Sequence, residues 1–422
     1  MFKVFAYFII FYGGFVRFEY FGNTDDPYNI KKIGATFSLR EEIQRENAGA
    51  TFIMNFILND LDTEKIMLLP IEAYVNYSYN WLNIYAGKKI YNFGYADWFN
   101  PTDFITPFDY SVLFSSLEEM KRGITSISVE VSPKPEYEFG IYILPFFTAH
   151  KIPFHYVKIS PQSPFQPVTI FNPEKSIYPE RNLKNTQFAI KTGLHLGNFD
   201  VNLIFFKGYD PYPDFQEEVY MGQLSKQPTI DSIVIFPIYD TLMAGGLNLS
   251  YIVSKFKIYF EGAYYLTKDK DGIKPGIKNP YFYGVFGIQR VFFDKLSVNI
   301  QYISKIIKDF KEPEDYEDIM DQEFAEMSNQ YFFQNYEKES TFSSRISYQT
   351  EDMNFRAEVF GAYNFEAEDY IIMPRVTYRF TDQFSASIGA MIFSEKEKVT
   401  TPFSMMGKML GDLIFTEAKF SF

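Results

Sequence analysis

Residues 382–393 read Asp-Gln-Phe-Ser-Ala-Ser-Ile-Gly-Ala-Met-Ile-Phe. Phe384, Ala386, Ile388, Ala390 and Ile392 fall on one face, and Ser385, Ser387 and Gly389 on the other. A period of two is the mark of a strand. The pattern recurs in Leu296, Val298, Ile300 and Tyr302 against Ser297, Asn299 and Gln301. Soluble sandwiches bury both inner faces in a dry core. Small polar groups kept inward along strands this long line a wet lumen instead, and the apolar face then meets lipid.

Working outward from this strand, the rest of the chain divides into similar segments. Counting back from the C-terminus gives strands near 412–422, 382–393, 368–379, 353–364, 339–350, 295–304, 280–291, 255–267, 240–253, 199–207, 187–196, 136–146, 123–132, 81–92, 69–79, 49–58, 33–45 and 15–21. Their connectors alternate. Short turns lie at 46–49, 79–80, 132–136, 197–198, 254–255, 293–294, 351–352 and 381–382, and mostly longer segments at 59–68, 93–122, 145–186, 208–239, 268–279, 305–338, 365–367 and 394–411. Short turns at one end and long loops at the other predict an all-β, transmembrane antiparallel barrel of about 18 strands (16–18), with periplasmic turns and extracellular loops.

Composition agrees. The 422 residues include 48 Phe and 33 Tyr, enough rings for aromatic girdles at both membrane interfaces, and no Cys. No run of 18 apolar residues is present, which excludes an ordinary transmembrane helix and leaves a barrel as the only spanning form. A net charge of −13 leaves no basic surplus for phosphates, so nucleic acid is excluded as a partner. Residues 1–14 are either a signal segment or remnant, with Lys3 before a short apolar run, or the beginning of the first strand. Residues 15–422 form one barrel domain. The last strand carries Ile414, Ala418, Phe420 and Phe422 on one face; a terminal aromatic on such a strand resembles the recognition signal of bacterial outer-membrane proteins, and places the chain in the bacterial outer membrane.

One connector differs in kind. In 93–122, Gly94, Asn100-Pro101 and Pro107 break both ladder and helix. It is the candidate constriction, folded into the bore. Asp97, Asn100, Asp103 and Asp109 offer acceptors, Lys88 and Lys89 stand at its base, and Trp98, Phe99, Phe104 and Phe108 pack it against the wall. Asn-Pro-Thr-Asp at 100–103 suits a tight Asx turn.

The faces opposite the apolar ones carry the lumen charges: Arg40, Glu42, Glu72, Glu130, Glu138 and Asp200, then Lys257, Glu261, Arg345, Arg356, Glu358, Arg375 and Arg379. Acids dominate the early strands and arginines gather on strands near 339–379. On a closed barrel these arcs oppose each other, and either set a transverse field or pair within the wall.

The stretch 87–103, Gly-Lys-Lys-Ile-Tyr-Asn-Phe-Gly-Tyr-Ala-Asp-Trp-Phe-Asn-Pro-Thr-Asp, with the prolines at Pro145 and Pro153 beyond it, resembles a Gram-negative outer-membrane transport family. That family has a G-[RK]-[QK] strand end, an aromatic-Gly pair and an N-P-x-D turn, and is similar in general plan to alginate-export porins. The resemblance covers about 70 residues. Phe93 stands where Trp is common, and Lys88-Lys89 replaces Arg-Gln, a change that loses bidentate geometry. It implies a transport barrel, with an inner-membrane pump or export system among its partners.

The expected function is a channel that passes small polar or amphipathic solutes through a charged, partly constricted lumen, or the outer conduit of an export system. The alternatives are a non-conducting surface barrel that binds partners through its loops, and a barrel hydrolase. Outer-membrane lipid and lipopolysaccharide are the surrounding partners. No cofactor or metal is expected. The acidic segment 308–326 lacks calcium-loop spacing and reads as a solvated, partly helical loop. His150 and His155 read as surface loop residues and His195 as a polar lumen liner, with no catalytic motif around any of them.

Overall fold

The computed structural model describes residues 9–24, 30–58, 66–110, 117–152, 154, 168–222, 229–394 and 401–422. In chain order the strands are β1 (Ile9–Asn23), β2 (Ile30–Arg45), β3 (Ala48–Leu58), β4 (Ile66–Tyr79), β5 (Leu82–Lys89), β6 (Ile124–Lys134) and β7 (Tyr137–Leu144). Then come β8 (Val168–Phe171), β9 (Gln187–Leu196), β10 (Phe199–Tyr209), β11 (Asp214–Gly222), β12 (Thr229–Ile238), β13 (Thr241–Val253) and β14 (Phe256–Leu266). The last are β15 (Tyr281–Phe292), β16 (Leu296–Ile307), β17 (Lys338–Gln349), β18 (Phe355–Asn364), β19 (Asp369–Arg379), β20 (Phe384–Phe393) and β21 (Leu413–Ser421).

All but β8, β11 and β12 belong to one 18-stranded sheet. Each strand of that sheet runs antiparallel to its neighbours, and β1 pairs with β21 from Phe15↔Ser421 to Asn23↔Leu413, which closes the ring. Closure leaves no free sheet edge in the membrane. All eighteen segments expected from the alternation are present. β5 leaves the wall after Lys89 rather than at 92, so the insert runs over 90–123. β1 reaches back to Ile9, inside the stretch 1–14 offered as a signal segment; residues 1–8 lie outside the described residues.

The turns at one end are tight because the chain supplies left-handed residues there, such as Asn80 at φ 44° and Gly197 at φ 61°. Around that rim the outward side chains are largely aromatic and exposed, among them Tyr79, Trp81, Tyr137, Phe199, Tyr251, Phe293, Tyr378, Phe384 and Phe420. A second outward group, including Phe56, Phe205, Tyr264, Phe342 and Tyr370, stands toward the loop end. Two aromatic girdles with aliphatic residues between them fit a lipid-facing wall.

The bore changes character along its axis. On the loop side, lumen-facing positions are apolar and buried: Tyr142, Leu144, Ile204, Phe206 and Leu242 on one arc, Phe360, Ile371, Met391, Phe393 and Phe415 on another. Toward the turns they become polar and wetter, and the Arg40 and Arg356 side chains are 58% and 50% exposed. The alternation predicted a polar lining throughout. The apolar half exists because folded-in chain packs against it.

The long connectors carry structure that alternation did not reveal. β12 pairs antiparallel with β11 and parallel with β8, making a small sheet outside the wall. Helix α1 (Ile319–Phe332), capped at its start by Asp318, packs Phe324, Met327 and Phe332 with Phe215, Ile233 and Ile235 of that sheet. Its C-terminal carbonyls, Phe332 O and Phe333 O, accept from Lys305 Nζ at 3.2 and 2.6 Å, a cation at the negative end of a helix. Helix α2 (Pro402–Leu410) lies against β19 and β20, and a Cβ on Gly407 would come within 2.8 Å of the Phe393 side chain.

Candidate functional site

The insert leaves the wall where Glu72, an inward residue of β4, accepts a hydrogen bond from Ile90 N at 2.8 Å. Its two limbs are tied at their root: Thr106 Oγ1 accepts from Tyr91 N and donates to Tyr91 O, at 3.2 and 2.5 Å. It rejoins the wall at Gly123, whose N–H donates to Ile71 O at 3.0 Å. Ile71 is the extra residue of a β-bulge in β4, between Glu72 opposite Ile53 and Pro70 opposite Met54. The bulge turns this carbonyl toward the returning chain.

Between these points the insert crosses the bore. Counting round the ring from β5, through β6, β7, β9, β10, β13, β14, β15 and β16, the ninth strand of eighteen is β17. β5 and β6 therefore stand opposite β17 and β18. Asp97 Oδ2 meets Arg345 Nε of β17 at 2.8 Å. Trp98, at φ 70°, stacks on Phe360 of β18 with ring centroids 4.1 Å apart. The tip of the insert touches the wall diametrically across from its root.

On the way it passes one row of the lumen wall. Asn202 of β10, Asn248 of β13 and Glu261 of β14 are successive cross-strand partners, each 1% exposed or less. Asn248 Nδ2 donates to Phe93 O at 2.7 Å, Asn202 Nδ2 to Tyr95 Oη at 2.5 Å, and the Glu261 carboxylate accepts from the backbone N–H groups of Tyr95 and Ala96. These contacts replace the ladder partners that an irregular segment lacks. Gly94 fits because a Cβ there would collide with Asn100 Oδ1 and Glu261 Oε2.

The return limb begins with the expected turn: Asn100 Oδ1 accepts from Thr102 N at 3.1 Å and Thr102 Oγ1 at 3.2 Å. Tyr265 Oη donates to Pro101 O at 2.7 Å, and Phe104 stacks with Phe206. Asp103 meets Lys121, and Asp109 meets Arg122, each at 3.5 Å. Arg17 of β1, 1% exposed, joins Glu119 of the insert at 2.7 Å and Glu19 and Glu417 of the wall at 3.2 and 3.8 Å.

Asp97, Asn100, Asp103 and Asp109 thus lie in the insert as expected, each engaged within the insert or with the far wall. Lys89 faces inward, its Nζ 4.8 Å from the ring centroids of Tyr74 and Tyr85 and 5.5 Å from that of Tyr91. Lys88 does not. It pairs with Ala73 and Thr125 on the face that carries Val75 and Ile127, and so points outward. Two adjacent strand residues cannot both face the bore.

The other named charges, Arg40, Glu42, Glu72, Glu130, Lys257, Glu261, Arg345, Arg356, Glu358, Arg375 and Arg379, occupy inward register positions. Many are paired. Arg40 bonds Glu42, Arg356 bonds Glu358 at 2.6 Å, and Arg375 bonds Glu417 at 3.1 Å. Lys191 bonds Glu138 at 2.9 Å, and His195 bonds Asp200 at 2.8 Å in the lumen.

His150 is buried instead of lying on the surface. Its Nδ1 accepts from Phe108 N at 2.8 Å, and its ring sits 4.3 Å from that of Tyr212, whose hydroxyl shares a 2.5 Å hydrogen bond with Tyr110. Burial, with the Lys278 cation nearby, pushes its pKa down to about 3. Lys278 itself holds Asp214 at 2.8 Å and Asp210 at 3.5 Å, and burial there is offset by the two carboxylates, which raise its pKa. His155 and part of the 145–186 connector lie outside the described residues. Of the acidic segment, 313–315 is a short 3₁₀ turn and 319–326 lies in α1. Sequence reasoning missed the clasp formed by Asn202 and Asn248, which alternation presents as two ordinary polar liners.

No family model matches this sequence, and no curated protein matches it. Solved structures do. OccD3 (OpdP) of Pseudomonas aeruginosa superposes with a TM-score of 0.55 at 9% identity, over 98% of this chain and 91% of that one. OccAB3 of Acinetobacter baumannii gives 0.54 at 9% identity, over 98% and 99%. OpdK of Pseudomonas aeruginosa with vanillate gives 0.54 at 7% identity, over 98% of each chain. At such identities the likeness is one of fold. With its closed ring of 18 antiparallel strands and its aromatic-belted outer wall, the chain has the fold of these barrels.

Proposed function

We propose that this barrel is a porin-like channel for small polar or amphipathic solutes, with the 90–123 insert as its constriction. The observation that carries this reading is the diametric crossing, held to the far wall by side chains rather than by a strand ladder. Contacts of that kind release singly, without opening the sheet. The charged, partly exposed half of the bore toward the turns supplies a wet vestibule below the insert. An export conduit that opens against an inner-membrane pump, as in the alginate-export plan, is the form this reading takes if a partner displaces the insert.

The test is single-channel conductance in planar bilayers, wild type against deletion of 97–108. Steady conductance that rises on deletion supports the channel, and vanillate, present in the OpdK structure, is a first solute to assay for block. Silence in both forms would refute a passive pore. The packed sheet and helix over the mouth favour the second reading, a closed surface barrel that binds partners through its loops.

A further inference from the structure

Arg290 stands where a cation is least expected. It lies on β15 two residues before the strand ends, in the outward row with Phe256 and Val298, at the rim that carries the short turns. Its guanidinium carbon is 4.4 Å from the ring centroid of Phe256 and 4.5 Å from that of Phe292. Nε is buried and has no hydrogen-bond partner, and among the described residues no carboxylate pairs with this arginine. Lys295, on the turn just beyond, is already engaged with Glu351 at 2.7 Å.

We propose that Arg290 binds the phosphate of a phospholipid in the periplasmic leaflet. The two rings hold the guanidinium in one orientation, leaving its N–H edge as its polar surface. A planar fork of donors matches two oxygens of a phosphate. Phe293 beside it is 85% exposed, an apolar anchor at the same level. An outward cation at the membrane rim needs a counter-ion, and the lipid headgroup layer lies at that depth. This inference concerns the outer wall and stands whether or not the bore conducts.

The test is native mass spectrometry of the folded barrel in detergent, titrated with phosphatidylglycerol. Wild type should bind its first lipid about fivefold more tightly than Arg290→Leu, the loss expected for one basic group near a membrane surface. Arg290→Lys, which keeps charge but loses the fork, should fall between them. Equal affinities in wild type and Arg290→Leu would overturn the proposal. Should Arg290→Leu not fold, Arg290→Gln replaces it with the same expectation. Inorganic phosphate should not displace the lipid at equal concentration; displacement would make this a free-anion site and overturn the lipid assignment.

Discussion

Replacing Glu261 by Ala should release the insert while leaving the barrel intact. In the native protein this carboxylate, 0% exposed, is the acceptor for the N–H groups of both Tyr95 and Ala96. Ala leaves both donors in a buried site without an acceptor, at about 1–3 kcal/mol each, or about 2–6 kcal/mol together. Removing the carboxylate also relieves its own burial, since Oε2 has no hydrogen-bond partner, which argues for the lower end of that range. At about 2 kcal/mol the released population rises about thirtyfold. Trp98 reports it directly: it is one of two tryptophans, so a Trp81→Phe background leaves only the ring stacked on Phe360. Acrylamide quenching of Trp98 should increase in Glu261→Ala, and channel noise should increase with it. Glu261→Gln, which keeps an acceptor oxygen, should lie between. Unchanged quenching in a folded Glu261→Ala barrel would refute the idea that this clasp holds the insert.

Two further outcomes follow from the same geometry. A Cβ on Gly246 would lie 2.7 Å from Thr102 Cγ2, and the chain has no Cys, so Thr102→Cys with Gly246→Cys should form one disulfide; its formation on a non-reducing gel, and loss of the Glu261→Ala noise while oxidised, would confirm the insert's position. His150 is held neutral with a pKa of about 3 against an ordinary 6.5, so the unfolded chain binds the extra proton between those values. Stability therefore falls as pH drops through that window, by at most about 1.4 kcal/mol per pH unit. The groups facing this imidazole, Tyr110, Tyr212 and Lys278, stay protonated throughout that range. Thermal melts from pH 7 to 4 should therefore differ between wild type and His150→Phe, the variant losing less or gaining more stability as pH falls, while Asp214, whose pKa burial raises to about 6, acts in the opposite sense in both.

The barrel was legible because its physics is local. Lipid on one side and water or packed chain on the other impose a period of two on every strand, and Asn80 or Gly197 marks a tight turn within a few residues. Hence all eighteen strands, the short turns and the membrane-facing girdles can be read from the chain alone. The irregular composition of the insert, with Gly94, Asn100 and Pro101, likewise shows that it cannot continue the wall.

What the insert touches is a different kind of information. That Asp97 meets Arg345 depends on β17 being ninth round the ring from β5, a fact of closure that no local window contains. Asn202, Asn248 and Glu261 form a clasp only because three neighbouring strands place them in one row beside an insert more than a hundred residues away in sequence. Lys88 and Lys89, adjacent in sequence, end on opposite faces because β5 stays in register to its last residue, and His150 is buried because three distant loops pack around it. The sequence by itself determined a closed, lipid-facing barrel with an inserted segment, since a repeating environment leaves a repeating pattern. Only the tertiary structure decided where that segment lies and which side chains hold it, since those contacts are made once, between residues that meet only when the ring has closed.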